Sequence, residues 1–278
     1  MSGFDPDWLS LREGADHLAR DAGLRDAVCA TFSGRAEVAI VDLACGTGSN
    51  LRALAAHLPE RQKWRLVDHD PNLLAAARSA LRRWADGVET EEPLVLRKNG
   101  RRLEVAFDRR DLAAFDAAVF AADVDLVTAA AFFDLVSSAW ISVFCAALAQ
   151  RRLSLYAVLS YDGVEKWSPP HEADAAVLAA FHRHQASDKG FGPAAGPQGA
   201  KALREALEAR GYAVATAPSP WRLDTRDEAL IQALADGAAR AVAETGLVAA
   251  PPIEKWRLAR RKAAGCEIGH LDLFAHPP

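Results

Sequence analysis

The sequence is short of most features that would take it outside the ordinary globular enzymes. Its four cysteines, at 29, 45, 145 and 266, are scattered and contain no C-x-x-C pair, which points to a reduced, cytoplasmic setting. No apolar run approaches the roughly 20 residues that span a bilayer, so no membrane partner is expected. The opening residues, Met1-Ser2-Gly3-Phe4-Asp5-Pro6-Asp7, are acidic and lack a signal-peptide pattern. Charge of one sign never accumulates: 33 basic against 37 acidic residues leave a net charge of −4 with no long like-charge block. An enzyme of nucleic acids more often carries a basic face, so large RNA or DNA is disfavoured as a partner. Internal repeats and low-complexity tracts are absent as well.

What is present is a chain of 278 residues, half hydrophobic and a quarter charged, a size that suits one α/β domain with additions. Its organising stretch is Val38-Ala39-Ile40-Val41-Asp42-Leu43-Ala44-Cys45-Gly46-Thr47-Gly48-Ser49-Asn50-Leu51. A β-branched apolar run feeds an acid, then two glycines one apart, then a helical pattern: a buried parallel strand, a tight turn and a helix start. Gly46 and Gly48 let the backbone approach a ligand where a Cβ would collide, and the helix start aims N–H groups and its dipole at anionic character. A nicotinamide fingerprint would carry a third glycine, where this chain has Leu51, and would not place an acid such as Asp42 in the turn. The pattern Asp42-x-Ala44-x-Gly46-x-Gly48 instead resembles motif I of the class I S-adenosylmethionine (SAM)-dependent methyltransferases.

In chain order, residues 8–32 read as helical with a break at Gly23, and Arg12, Glu13, Asp16 and Arg20 on the polar side. These charges form either a solvated face or a lid in which Arg12 pairs with the methionine carboxylate of a cofactor. Trp64-Arg65-Leu66-Val67-Asp68 is a second strand ending in an acid about 20 residues past the glycines, where doubly wound nucleotide folds hold a ribose. His69 follows, and Asp70 before Pro71 reads as a helix cap. Residues 93–97 and 103–107 read as a hairpin around Asn99-Gly100. By the resemblance, Asp111-Leu112 would contact the adenine; alternatively Asp111 caps a helix over 112–120. Residues 123–128 read as the fourth strand, followed by Ala129-Ala130-Ala131-Phe132-Phe133-Asp134. The resemblance places Thr128 and Ala129 against the cofactor and Phe132 and Phe133 in the acceptor pocket, with a core role for the two rings as the alternative. A helix and a fifth strand, 153–160, complete a βαβ series.

Residues 162–197 read as an insertion over the strand ends, rich in Trp, His, Asp and Lys, of the kind that lids a substrate. Two histidines two apart on a helix, His182 and His184, point about 200° apart, and His184 with Asp188 lacks a third ligand, so no metal is expected. Beyond it come a helix over 198–210, a strand over 212–217, a long helical stretch after Trp221 reaching about 245, a basic helix over 254–264 and a last strand over 268–275.

The resemblance covers nearly the whole chain. It implies a doubly wound, mostly parallel seven-stranded α/β sheet with helices on both faces and an antiparallel last strand. Residues 1–35 would form an N-terminal helical cap on a SAM-binding domain over 36–278. The cofactor set would be Arg12, Asp42, Ala44, Cys45, Gly46, Thr47, Gly48, Asp68, His69, Asp111, Leu112, Thr128 and Ala129, with S-adenosylhomocysteine (SAH) as product. The reaction would be in-line methyl displacement onto an oxygen or nitrogen of a small molecule, and the acidic and aromatic lid suggests a cationic one. His171, His182, His184, Asp134 and Tyr161 are the candidate catalytic groups, and each histidine equally suits a surface or cap role. Phe132, Phe133, Asp162, Trp167 and Trp221 are the candidate acceptor walls. No Asn-Pro-Pro-aromatic run follows strand four and no catalytic Pro-Cys is present. An RNA methyltransferase and a catalytically idle SAM-binding partner subunit remain the alternatives, and the chain is expected to be a monomer or homodimer.

Overall fold

The computed structural model describes residues 5–120 and 123–277. In chain order the elements are α1 (Pro6–Ala19), α2 (Ala22–Thr31), β1 (Glu37–Leu43), α3 (Ser49–Leu54), β2 (Arg61–Asp68), α4 (Pro71–Trp84), β3 (Gly87–Glu91), β4 (Leu94–Lys98) and β5 (Arg101–Arg109). There follow β6 (Leu126–Ala130), α5 (Ser138–Gln150), β7 (Ser154–Ser168), α6 (Asp174–Gln185), α7 (Gly199–Glu208), β8 (Ala213–Pro218), β9 (Trp221–Asp224), α8 (Glu228–Thr245), α9 (Ala250–Arg260) and β10 (Gly265–His276). The sheet runs β3-β4-β5-β2-β1-β6-β7-β10-β8, with β9 also paired to β10. β5, β2, β1, β6 and β7 are mutually parallel. β10 inserts antiparallel between β7 and β8.

The expected seven-stranded, mostly parallel core with an antiparallel last strand is present, and three more strands extend it. Two of the three carried too little pattern to betray them. β3 is exposed along its length and hangs on the edge as a hairpin with β4. β9 is only four residues long, and it starts at Trp221 where a helical stretch was expected. The helix expected over 112–120 is instead a run of bends with one 3₁₀ turn, Ala117–Val119, capped by Asp116. The N-terminal helical break falls at Arg20-Asp21 rather than at Gly23, because Asp21 caps α2 by accepting from the Leu24 amide. The expected Asp70 cap is in place: its carboxylate accepts from Asn72 N at 2.8 Å, with Pro71 opening α4.

Three apolar cores follow from this order. On one sheet face, Leu24, Val28, Leu51, Leu54 and Leu81 from α2, α3 and α4 pack on Ile40, Trp64 and Leu66. On the other, Ile141, Phe144 and Leu148 of α5 and Leu203 and Leu207 of α7 pack on Val41, Val127 and Leu155. The third core stands beyond the strand ends. β7 continues to Ser168 instead of leaving the sheet near residue 161, and stays paired with the first half of β10. β9, α6, α8 and α9 close over this extension around Trp221, Ile231, Trp256 and Ile268. The segment expected as a lid, 162–197, is therefore a strand extension, then α6, then a connection back to α7.

Helix α1 lies between the third core and the glycine turn. Trp8, Ala15 and Ala19 pack on the third core. From its other side, Glu13 takes a two-point ion pair from Arg52 at 2.8 and 2.6 Å, and His17 Nε2 meets Ser49 Oγ at 2.9 Å. Among the described residues no helix is long and apolar enough to cross a membrane.

Candidate functional site

The glycine turn is built by three left-handed residues in alternation: Ala44 at φ 50°, Gly46 at φ 53° and Gly48 at φ 75°. Such angles suit glycine and strain an alanine, so Ala44 holds the turn at a cost of about 1 kcal/mol. The turn closes through Gly48 N donating to Cys45 O at 2.9 Å and is tied to β2 by Cys45 N donating to Val67 O at 3.0 Å. Arg52 Nη1 donates to Thr47 O at 2.8 Å. A Cβ at Gly46 would come within 3.0 Å of Leu9 on α1, so the helix closes the turn from above.

Two acids flank the turn. Asp68, at the end of β2, accepts from Gly46 N at 2.9 Å and from Asp70 N at 3.1 Å, which fixes its carboxylate at the turn while its outer lone pairs stay open. His69 Nδ1 lies 3.4 Å from the same carboxylate on the exposed side. Asp42 is fully buried. Its Oδ1 accepts from Asn50 Nδ2 at 2.7 Å, while its Oδ2 has no partner. Burial pushes its pKa up to about 7 against the pull of Asn50 and Arg20. Asn50 also donates to Thr128 Oγ1, which in turn donates to the Tyr156 carbonyl, and Arg20 donates to Asn50 Oδ1. Thr128 thus ties β6 to the turn, and Ala129 beside it is buried in the sheet. Asp111 is exposed, with Oδ1 accepting from Ala113 N at 2.8 Å, and Leu112 beside it is buried.

A second group of polar residues gathers past the end of β6 and along the middle of β7. Tyr161 Oη lies 3.0 Å from His182 Nε2 and donates to Glu165 Oε1 at 3.1 Å. Its neighbour across the ladder is His270, whose ring centroid is 6.3 Å away. A bulge at Asp162-Gly163, opposite Gly269, turns the strand here, with Asp162 Oδ1 accepting from Val164 N. The His270 ring stands 5.0 Å from Trp221, and the Arg12 guanidinium sits 5.0 Å over the other part of this aromatic wall, on the Trp221 ring. Arg12 makes a two-point pair with Asp16 at 2.9 and 3.1 Å, and Trp221 Nε1 donates to Asp16 at 3.0 Å. Asp134 faces Arg12 and the Tyr161 backbone. Burial lifts its pKa to about 6, and its Oδ1 has no partner. Burial also lowers the pKa of His270 to about 3 and that of His182 in the same direction, so both rings are neutral near pH 7.

The fold therefore brings together Arg12, Asp134, Tyr161, His182 and Trp221 among the residues singled out from sequence. His171 and His184 stand apart. The His171 ring accepts from Ala173 N at the start of α6, and His184 pairs with Glu244 on an exposed surface. Phe132 and Phe133 are buried in an aromatic core with Trp140 and Phe144. Trp167 packs edge-on to Trp256 in the third core under the Arg260 guanidinium. His270 and Glu165 join the group without having been picked out, and Asp16 had been read only as one charge of the N-terminal helical face. His270 was visible only as one member of an alternating strand, and nothing local distinguishes it.

No family model and no curated protein matches this chain. Among solved structures, a candidate methyltransferase from Bacillus halodurans C-125 aligns over 91% of this chain and 98% of its own at 12% identity, with a TM-score of 0.51. A cyclopropane-fatty-acyl-phospholipid synthase-like protein from Lactobacillus casei aligns over 95% of this chain and 91% of its own at 14% identity, with a TM-score of 0.50. The fold is that of the class I SAM-dependent methyltransferases. In this methyltransferase fold the glycine turn and Asp68 lie at the C-terminal ends of β1 and β2, the edge where open α/β sheets bind ligands. The residues present suit a nucleoside cofactor: a left-handed turn free of Cβ at Gly46 and Gly48, a fixed carboxylate beside it, and an unpartnered buried Asp42 oxygen.

Proposed function

We propose that this protein is a SAM-dependent methyltransferase acting on an oxygen or nitrogen of a small molecule. The observation that carries the reading is the Asp68 carboxylate, fastened by Gly46 N to a turn of three left-handed residues with its outer lone pairs open. Two vicinal hydroxyls of a ribose suit such an acceptor. Asp111 and Leu112 would flank the base, and Asp42 Oδ2 together with the Arg12–Arg20 side would meet the amino acid end. The cofactor, when bound, supplies an electrophilic methyl group on a sulfonium sulfur.

The chain's own residues then have three tasks. α1 and the third core exclude water from the strand ends, which strengthens every electrostatic contact inside. Tyr161, Trp221 and Asp134 orient the acceptor. His182, neutral and hydrogen-bonded to Tyr161 Oη, holds that hydroxyl in place as it donates to Glu165. The enclosed, net acidic character of this group supports a small acceptor over an RNA phosphate backbone. Four free thiols among the described residues support a reducing, cytoplasmic location. In calorimetric titration, SAH should bind saturably and raise the melting temperature. Asp68→Ala should weaken that binding at least tenfold. Equal SAH binding by wild type and variant would defeat the reading.

A further inference from the structure

We propose that the acceptor carries an amine, bound as its protonated form at Asp134 and His270, a reading that rests on the methyltransferase function proposed above. Two polar atoms in the second group have no partner: Asp134 Oδ1 and His270 Nδ1. Both side chains are more than nine-tenths buried, at 8% and 6% exposure. A buried polar atom left open costs about 1–3 kcal/mol, so a fold that keeps two around the same Arg12 and Tyr161 is holding them for a ligand.

The charges around them select its class. The groups facing Asp134 are Arg12 on α1 and Tyr161 on β7. Arg12, the cation that faces it among the described residues, spends its Nε–Nη2 edge on Asp16. Glu165 accepts from Tyr161 and is partly buried. Three carboxylates therefore stand against one guanidinium, and the two rings nearest them, His182 and His270, are neutral. A carboxylate or phosphate at this place would be repelled by Asp134. An alcohol offers a single O–H to two open acceptors. An ammonium group offers three N–H donors and a positive charge to the two open acceptors.

The test uses the SAH-loaded full chain and three matched probes: 2-phenylethylamine, 2-phenylethanol and phenylacetate, titrated by calorimetry at pH 7.5. The amine should bind at least tenfold more tightly than the other two. Asp134→Asn should weaken the amine at least tenfold while leaving the SAH dissociation constant within twofold, and His270→Gln should weaken the amine severalfold. The inference is overturned if the alcohol or acid matches the amine, if none of the three binds, or if Asp134→Asn leaves the amine unaffected. A loss of SAH affinity in Asp134→Asn would also overturn it, by assigning that carboxylate to the cofactor. Failure of wild type to bind SAH at all would instead remove the underlying methyltransferase reading, and this inference with it.

Discussion

Replacing Asp134 by Asn should make the empty protein more stable, and the gain should depend on pH. The carboxylate is buried, one of its oxygens is unpaired, and its pKa rises from 3.8 to about 6 through desolvation. Because the folded pKa lies above the unfolded one, the folded state binds more protons between these two values. Stability therefore falls as pH rises through that window, and the full penalty is present above it. A shift of about two units corresponds to about 3 kcal/mol at pH 8. At pH 5 about half of that remains, and below pH 4 it vanishes. Asn keeps the shape without the charge, and its own desolvated amide returns about 1 kcal/mol of the gain. The variant should thus melt about 4 °C higher than wild type at pH 8, at roughly 2 °C per kcal/mol for a chain of this size. The difference should close on acidification. Scanning calorimetry of both proteins at pH 8, 6.5 and 5, without ligand, measures it. A variant no more stable than wild type at pH 8, or a gain that does not shrink toward pH 5, would refute the reasoning that Asp134 is a charge held at the fold's expense.

Two further substitutions probe the scaffold. Asp272 is fully buried and accepts from Leu159 N at 2.8 Å, Ser219 Oγ at 2.6 Å and Asp21 N at 2.9 Å. Asp272→Ala strands two backbone amides and should cost about 3 kcal/mol, seen as a lowered urea midpoint at unchanged slope. At Gly199 a Cβ would meet the Phe133 carbonyl oxygen at 2.4 Å. Gly199→Ala should therefore destabilise by about 2 kcal/mol through forced backbone movement, whereas Gly237→Ala inside α8, where a Cβ would meet the flexible Arg240 side chain at 4.0 Å, should stabilise or be neutral in the same thermal scan.

The cofactor side of the site was legible because its parts are local. An apolar run, an acid and glycines at fixed offsets determine the β1 turn, and an acid closing the next strand determines the position of Asp68. The Asp70-Pro71 cap and the Asn99-Gly100 hairpin are read from neighbouring residues in the same way. The second polar group was only half legible because its members come from α1, the loop after β6, β7, α6, β9 and β10, and long-range pairing brings them together. Nothing near His270 announces that its strand pairs it with Tyr161. β3 and β9 escaped for a different reason: β3 is exposed on both faces and carries no alternating burial, and β9 alternates over only four residues, too short a run to stand out. The Phe132–Phe133 pair, open from sequence between pocket wall and core, packs with Trp140 and Phe144.

The bond from the Asp21 amide to Asp272 joins residues 251 positions apart. During synthesis at about 5–20 residues per second, the first two helices wait on the order of 13–50 s before that partner exists. Trp221, which fastens α1 through Asp16, arrives only slightly earlier. The oldest part of the nascent chain is therefore the last to be secured. The floor of the cofactor site can form from the sheet's parallel core, while its roof is seated only when the final strand slides in beside β7.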